Sequence, residues 1–252
     1  MIAVVGGVRE ELHALRAALE SPREVARGGL RAVTGRLSGQ DVVLAVAGDG
    51  APQARAVLGA LLTDFPCDAV IGVGVAGGLT DDLPAGALVV GAELREPGGG
   101  VLVPDSLWRA KAEAAGAAPA SLVSTRAIAG TPQTKRALAR ALGVGTAAVD
   151  LESYAWAETA SSKSIPWVVL RVISDAASEP IPAFLLACQR DDGSIDRGLV
   201  AAKGLAVPTR LAALLRLRRR VREASANLRH TVSAIMGDAP RTLSRNASRE
   251  AM

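Results

Sequence analysis

Short apolar segments rich in β-branched residues alternate with segments of helical periodicity along most of this chain. Residues 2–5, 69–73 and 167–173 have the composition of buried strands. Residues 10–19 and 132–142 repeat their apolar positions at the spacing of an amphipathic helix. Because elements that alternate in this way form layered structures, we predict an α/β fold, a single-domain α/β/α sandwich with a mixed central β-sheet.

The remaining elements divide the chain into a body and a C-terminal segment. Further strands are expected at 30–37, 41–46, 87–94, 122–123 and 147–149. Further helices are expected at 53–62, 106–115 and 152–161. The interpretation is one α/β domain over 1–207, a basic amphipathic helix over 208–236, and a disordered tail over 237–252.

Charge is distributed unevenly between these parts. Residues 208–252 carry ten arginines and a net charge of +7, which leaves −3 on residues 1–207. In the helix, Leu211, Leu214, Leu215 and Val221 alternate with arginines. Such a helix can lie on an anionic membrane surface, or its leucines can pack on the domain while its arginines are solvated. Both alternatives stay open.

Size and hydropathy exclude other classes of protein. The chain has 252 residues, of which 49% are hydrophobic, so it can bury a substantial core. No apolar run approaches about 20 residues, and the N-terminus lacks a signal-peptide pattern. Cys67 and Cys188 are expected to be reduced thiols in a cytoplasmic protein.

A glycine cluster, Gly72-Val73-Gly74-Val75-Ala76-Gly77-Gly78, follows the strand at 69–73. We expect a loop there, either a tight turn or a backbone wall that a sugar, phosphate or base can approach closely. A dinucleotide fingerprint is disfavoured because the third glycine does not open a helix, and no Gly-Lys-Ser/Thr follows to make a P-loop.

Two acids and an arginine stand near the ends of predicted strands. Glu152 follows an apolar strand and opens a helix, whose dipole is expected to keep the carboxylate ionised for binding a ribose diol. Asp175 follows the strand at 167–173, at the sheet edge where open α/β folds bind ligands. It can hydrogen-bond a purine and protonate N7. Arg171 can face an anionic nucleophile or pair with a neighbouring acid.

Four motifs in order resemble the nucleoside phosphorylase/methylthioadenosine nucleosidase superfamily over roughly residues 1–180. The motifs are Gly7-Val8-Arg9-Glu10-Glu11-Leu12, Val73-Gly74-Val75-Ala76-Gly77-Gly78-Leu79, Val149-Asp150-Leu151-Glu152-Ser153 and Val169-Leu170-Arg171-Val172-Ile173-Ser174-Asp175. The resemblance implies an enzyme that cleaves the N-glycosidic bond of an adenine nucleoside. It also implies no cofactor or metal, with phosphate or water as co-substrate, and a homodimer or higher homo-oligomer.

The resemblance assigns roles to residues of this chain. Asp175 would protonate the base, Glu11 would orient or deprotonate a nucleophilic water, and Arg171 would fix the nucleophile. The substrate-binding residues would be Glu152, Leu151, Ser174, Gly77, Gly78, Val75 and Gly130. Val75 stands where the family has a small hydroxyl residue, and the stacking aromatic falls near Ala129 and Gly130.

A narrower resemblance, to hopanoid-associated phosphorylases, implies a lipid-linked substrate of the adenosylhopane type. It rests on the Val-Asp-Leu-Glu-Ser motif, Pro180 to Pro182, the turn at 191–193 and the final Arg/Leu-rich helix. The alternatives are a nucleosidase for soluble methylthioadenosine, S-adenosylhomocysteine or another nucleoside, and a non-catalytic nucleoside-binding or membrane-attached module. Nucleic-acid binding is disfavoured because the arginine-rich end lacks interleaved aromatics.

Overall fold

A computed structural model describes residues 1–190 and 193–237 of the chain. The strands are β1 (Ile2–Gly6), β2 (Glu20–Arg27), β3 (Leu30–Leu37), β4 (Gln40–Val46), β5 (Ala69–Gly78), β6 (Leu88–Arg95), β7 (Val101–Leu102), β8 (Ala118–Ser124), β9 (Ala147–Asp150) and β10 (Trp167–Asp175). The helices are α1 (Arg9–Ala17), α2 (Ala51–Asp64), α3 (Ser106–Ala114), α4 (Pro132–Leu142), α5 (Ser153–Ser162), α6 (Ala183–Leu186), α7 (Arg197–Leu205) and α8 (Pro208–Gly237). The predicted α/β class with a mixed central sheet is confirmed.

The sheet runs in the order β10-β6-β8-β9-β5-β1-β4-β3-β2, with β7 on β6. Strand β10 also pairs with β5, so five strands (β5, β10, β6, β8 and β9) form a closed ring. Neighbours of β5 on the β1 and β10 sides are parallel to it, and β9 is antiparallel. The open sandwich that we predicted therefore closes on itself at one end, which brings the last residues of β5, β9 and β10 together.

Apolar clusters fill the space on the two faces of the sheet. One cluster includes Leu58, Leu61 and Trp156, which come from α2 and α5. The other includes Leu12 and Leu15 of α1 and residues from the second half of α8. Helices thus cover both faces, and central strands such as β1 and β10 are buried along their whole length.

Helix α8 behaves differently in its two halves. Its second half is part of the core, since it buries Ala224, Ser225, Leu228, Thr231, Val232, Ile235 and Met236. The Ser225 hydroxyl donates to the carbonyl of Glu11 at 2.8 Å and accepts from the Ala14 amide at 3.1 Å. The first half exposes Leu211, Leu215 and Leu217. The first half therefore does not follow the alternative in which all the leucines pack on the domain.

Several sequence predictions need correction. The glycine cluster is not a loop: β5 continues through Gly78 as a ten-residue strand. Strand β2 was not expected, because its side chains are almost all exposed and polar. Strand β7 was not expected either, because two residues are too few to show an alternating pattern in the sequence. Most of the turn expected at 191–193, and the tail after residue 237, lie outside the described residues.

Candidate active site

Polar side chains from four parts of the chain meet where β1, β5, β9 and β10 end. In the part of the chain that the structure describes, the buried charged side chains are those of Glu11, Lys135, Asp150, Glu152, Arg171 and Asp175. All but Lys135 belong to the four motifs found in the sequence. Because burying ionisable groups is costly, such a concentration at one sheet edge indicates a functional site.

Arg171 is the centre of this cluster. It is only 1% exposed, and its guanidinium lies 2.8 Å from an oxygen of Asp150 and 3.6 Å from one of Glu152. It donates two further hydrogen bonds to the Ser153 hydroxyl, at 3.0 and 3.1 Å, and lies over the ring of Trp156 at 4.8 Å. Burial lowers the pKa of Arg171, but the neighbouring carboxylates together raise it by more. The net shift of the pKa is therefore upward. Of the two alternatives for Arg171, the structure shows the pairing with neighbouring acids.

Glu11 reaches the cluster from α1. Its side chain accepts hydrogen bonds from the amides of Val75 at 2.9 Å and Val8 at 3.1 Å. Burial raises the pKa of Glu11, although the positive charge of Arg171 and the amide hydrogen bonds oppose that rise. A carboxyl group with a raised pKa is better suited to take a proton from water than one held strongly ionised.

Gly74 makes the approach of Arg171 to Glu11 possible. A Cβ atom at position 74 would lie 2.6 Å from a carboxyl oxygen of Glu11 and closer still to the guanidinium of Arg171. Gly72, two residues earlier on the same face of β5, leaves room for the ring of Trp156 in the same way, with a Cβ at 2.8 Å. The glycines of β5 are therefore required by side-chain packing and not by a turn.

Glu152 lies at the N-terminus of α5, as expected, and accepts a hydrogen bond from the Gly50 amide at 2.9 Å. Its ionisation differs from the sequence prediction. Burial raises the pKa of Glu152 to about 8, because the attraction of Arg171 does not compensate for lost hydration and for the repulsion of Asp150. The helix dipole is too weak to keep this carboxyl group ionised at neutral pH in the absence of substrate.

The raised pKa predicts a pH-dependent contribution of Glu152 to stability. An unfolded chain releases this proton near pH 4.5, whereas the folded chain keeps it up to about pH 8. The free energy of unfolding should therefore fall between those values, by on the order of a few kcal/mol. Glu152→Gln should remove that part of the decline, since an amide does not titrate. Urea unfolding at pH 5, 6, 7 and 8 measures it, and equal slopes in both proteins would contradict the assignment.

Asp175 ends β10, 8% exposed, and faces Gly77 of β5 across the pair. Its Oδ1 accepts from the hydroxyl of the preceding Ser174 at 2.5 Å. Its Oδ2 accepts from the ammonium group of Lys135 on α4, also at 2.5 Å. The predicted acid thus lies at the predicted edge, with a cationic partner that the sequence did not indicate.

The remaining predicted site residues lie on three elements. Val75, Gly77 and Gly78 lie among the last residues of β5, and Gly77 and Gly78 pair with β9. Leu151 is half-buried between β9 and α5. The Val75 amide is bound by Glu11, and its carbonyl lies 3.5 Å from Arg171. These residues line the same edge as Glu11 and Glu152.

Gly130 is covered by α6. A Cβ there would lie 2.5 Å from Leu186, and its carbonyl accepts from the amide of Ile181 at 2.9 Å. The segment that was expected to carry a base-stacking aromatic is therefore packed against an aliphatic side chain. Sequence spacing alone could not reveal that α6 folds back onto this segment.

Asp150 and Lys135 are the two site residues that sequence reasoning missed. Asp150 stands inside a quoted motif and ends an apolar strand, and a buried arginine predicted nearby needed such a partner. Lys135 had no comparable signal, because α4 contains two arginines as well and reads as a solvated helix. Among the described residues, no three His, Cys, Asp or Glu side chains are grouped to hold a metal ion.

Comparison with known proteins identifies the class of this site. A sequence model of the phosphorylase superfamily matches residues 1–191, and the chain belongs to that superfamily. A 5′-methylthioadenosine/S-adenosylhomocysteine nucleosidase of Shewanella sediminis is 29% identical over 208 residues, covering 72% of this chain and 88% of the relative. One of Lysinibacillus sphaericus is 38% identical over 94 residues, covering 37% and 41%. The chain is an enzyme of the nucleosidase and nucleoside phosphorylase family, whose members cleave N-glycosidic bonds.

Solved structures share the fold. A 5′-methylthioadenosine/S-adenosylhomocysteine nucleosidase from Neisseria meningitidis, in complex with methylthio-immucillin-A, superposes with a TM-score of 0.74 at 23% identity. The match covers 94% of this chain and 99% of that one. Futalosine hydrolase of Helicobacter pylori superposes with a TM-score of 0.70 at 18% identity, covering 92% and 96%. The match extends well beyond residue 191, so α7 and much of α8 belong to the shared architecture.

Proposed function

We propose that the protein hydrolyses the N-glycosidic bond of an adenine nucleoside, releasing adenine. One observation carries the proposal: the only buried guanidinium among the described residues, Arg171, is surrounded by carboxyl groups, while Asp175 lies at the end of the same strand, β10. A site with acids on two sides suits a reaction that protonates a leaving base and develops positive charge on a ribosyl ring. The named relatives that act on 5′-methylthioadenosine and S-adenosylhomocysteine support the same chemistry.

Each acid has a step that its surroundings favour. Asp175 donates a proton to N7 of the purine, so that the base leaves as a neutral molecule. Glu152, beside Gly50, binds the ribose hydroxyls. Glu11 takes a proton from the water that attacks C1′, which its raised pKa favours. Leu151, Gly77 and Gly78 contact the sugar, and Ser174 orients Asp175. No cofactor takes part in these steps.

Electrostatics favour water over phosphate as the co-substrate. Arg171 is already paired with Asp150 at 2.8 Å, and Glu11 and Glu152 face the same guanidinium. Arg9, which could have offset a phosphate charge, is exposed at the start of α1. Arg171 is therefore already engaged by carboxyl groups and is not free to offset the charge of a phosphate dianion, whereas neutral water needs no such partner.

The test is adenine release from 5′-methylthioadenosine, S-adenosylhomocysteine and adenosine, each with and without inorganic phosphate. We expect adenine and a free reducing sugar, at a rate that phosphate does not change. Glu11→Gln should lower kcat by about 100-fold or more, since it removes the base for water. Exposed Glu24→Gln is the matched control. Strict phosphate dependence with a sugar 1-phosphate product contradicts hydrolysis, and no base release from any nucleoside contradicts the function.

A second candidate substrate is an adenosine whose 5′ group is a lipid, such as adenosylhopane. The observation that favours it is a surface of α7 and the first half of α8. Leu205 is 70% exposed and Leu215 is 56% exposed there. Six exposed arginines lie in the same half of α8, of which Arg220 pairs with Glu179: Arg210, Arg216, Arg218, Arg219, Arg220 and Arg222. This composition suits a cytoplasmic enzyme that rests on an anionic membrane surface. Within the described part of the chain, no helix has the length and hydropathy needed to cross a bilayer.

Vesicle sedimentation tests the membrane candidate. The protein should bind vesicles with 30% anionic phosphatidylglycerol more strongly than pure phosphatidylcholine vesicles, at about 1 kcal/mol per engaged arginine. Arg216→Gln with Arg219→Gln should weaken that binding. Arg31→Gln with Arg36→Gln, on β3, is the control. Equal binding to both vesicle types removes this candidate and leaves the soluble substrates.

We also propose a homo-oligomer. Val103 is 66% exposed and Leu107 is 54% exposed, close together at the start of α3. Exposed apolar side chains that form a contiguous patch can mark a contact surface, and a second copy of the chain is the occupant that we propose. Light scattering after size-exclusion chromatography gives the mass, and a monomer at micromolar concentration contradicts the proposal.

A further inference from the structure

Lys135 is the most deeply buried cation among the described residues, with no exposed surface. Its ammonium group donates to three oxygens: Asp175 Oδ2 at 2.5 Å, the carbonyl of Ala176 at 2.7 Å and the carbonyl of Glu179 at 3.0 Å. An ammonium group has three N–H bonds, so every donor is used. This geometry describes a charged lysine held in one position.

Burial of this cation costs free energy that an apolar side chain would not cost. Lys135 is the fourth residue of α4. The next residue, Arg136, is exposed to solvent, whereas Lys135 lies on the buried face of the same helix. The one carboxylate that Lys135 contacts belongs to Asp175, the acid assigned to the leaving base. The placement of Lys135 therefore concerns Asp175 more than the stability of α4.

Asp175 accepts hydrogen bonds at both of its oxygens. Lys135 donates to Oδ2 and the Ser174 hydroxyl donates to Oδ1. A donor on each oxygen gives Asp175 the hydrogen-bonding pattern of an acceptor-only group, and neither oxygen presents a proton to the base. General-acid catalysis at N7 requires such a proton, so the resting site needs a source for it.

We propose that Lys135 is a positioning residue that holds Asp175 and supplies the proton it delivers; this inference rests on the proposed function. One proton leaves the Lys135 ammonium group, which becomes a neutral amine, and binds Asp175 Oδ2. The carboxyl group passes it to N7 as the C1′–N9 bond breaks and its electron pair enters the base. After adenine leaves, solvent water returns a proton to the amine. The carbonyls of Ala176 and Glu179 keep the amine in place throughout.

The other charged groups near this pair are engaged elsewhere. The side chain of Glu179 is bound by Arg220 of α8 at 2.9 Å, and Arg220 also donates to the carbonyl of Ser174 at 2.8 Å. The nearest cations and anions therefore form two separate pairs, Lys135 with Asp175 and Arg220 with Glu179. Proton exchange within the first pair does not require the second to break.

The test is the pH dependence of adenine release by Lys135→Met, Lys135→Arg and the wild type. At pH 8 we expect Lys135→Met to lose about 100-fold in kcat with KM changed little, since proton delivery contributes on that scale. At pH 5 the loss should be much smaller, because solvent then protonates Asp175 directly. The basic limb of the profile thus moves to lower pH. Lys135→Arg, which keeps a cation but does not give up a proton, should remain as slow as Lys135→Met at pH 8.

The controls separate this inference from the function on which it rests. Exposed Lys163→Met, at the end of α5, should match the wild type. If Lys135→Met does not fold, Lys135→Gln replaces it with the same expectation, since an amide still donates to the carbonyls. A loss that is equal at every pH, or a kcat at pH 8 within threefold of the wild type, overturns the inference. No adenine release by the wild type overturns the proposed function instead.

Discussion

Asp175→Asn should abolish most of the adenine release, with kcat lowered by about 10³-fold and the fold retained. Asparagine has nearly the shape of aspartate, and both contacts of Asp175 with its neighbours are 2.5 Å. The amide oxygen can still accept from Lys135, while the amide NH2 group can donate to the Ser174 hydroxyl. It cannot carry a proton to N7, and general-acid steps contribute about 10²- to 10⁴-fold. The effect should appear in kcat, because the purine still meets the same surface.

Steady-state kinetics with 5′-methylthioadenosine, together with circular dichroism to verify folding, measures this loss. The matched control is Asp41→Asn at the start of β4, whose side chain is 72% exposed and pairs weakly with Arg36 at 3.8 Å. That variant should retain full activity. Near wild-type kcat in Asp175→Asn would remove Asp175 from its assigned role and, with it, the reason for the buried lysine.

Arg171→Met should have the largest effect on stability of any single substitution in the site. The guanidinium is 1% exposed and faces Asp150, Glu152 and Glu11. Removing it leaves buried carboxyl groups without their cation, and breaking a buried ion pair from one side costs about 3–5 kcal/mol. Arg171→Lys should be intermediate, because an ammonium group cannot reproduce the fork that contacts both Ser153 and Asp150.

The free energy of unfolding in urea at pH 7 measures this cost. Arg16→Met is the control: Arg16 pairs with Glu24 at 2.7 Å, but the two side chains are 55% and 77% exposed. An exposed pair of that kind contributes about 0–1 kcal/mol. If the two substitutions had similar costs, Arg171 would not be the electrostatic centre of the cluster.

The sequence predicted the framework of the site because local patterns determine it. Strand periodicity located β1, β5, β9 and β10, and the ends of parallel strands necessarily share an edge of the sheet. Glu11, Glu152, Arg171 and Asp175 were identified on that basis and through the family resemblance. The structure brings all of them to the same edge.

What the sequence did not predict depends on contacts between distant segments. The need for glycine at position 74 follows from the side chains of Arg171 and Glu11, which occupy the space that a Cβ atom would take. These two residues are distant from Gly74 along the chain. The burial of Lys135 depends on how α4 packs over the end of β10. The pKa of Glu152 depends on how completely water is excluded. None of these quantities is encoded in the local pattern around the residue concerned.

The C-terminal helix has a consequence for any attempt to shorten the protein. Residues 224–236 lie beyond the region that the superfamily sequence model matches, yet they cover α1, and Ser225 holds the backbone of Glu11 itself. A chain trimmed to the matched portion would uncover the apolar underside of α1 and free the segment that carries Glu11. The last helix therefore braces the backbone that positions Glu11. A tag fused to the N-terminus would have to preserve or replace the contact of Met1 with Asp68 at 2.6 Å.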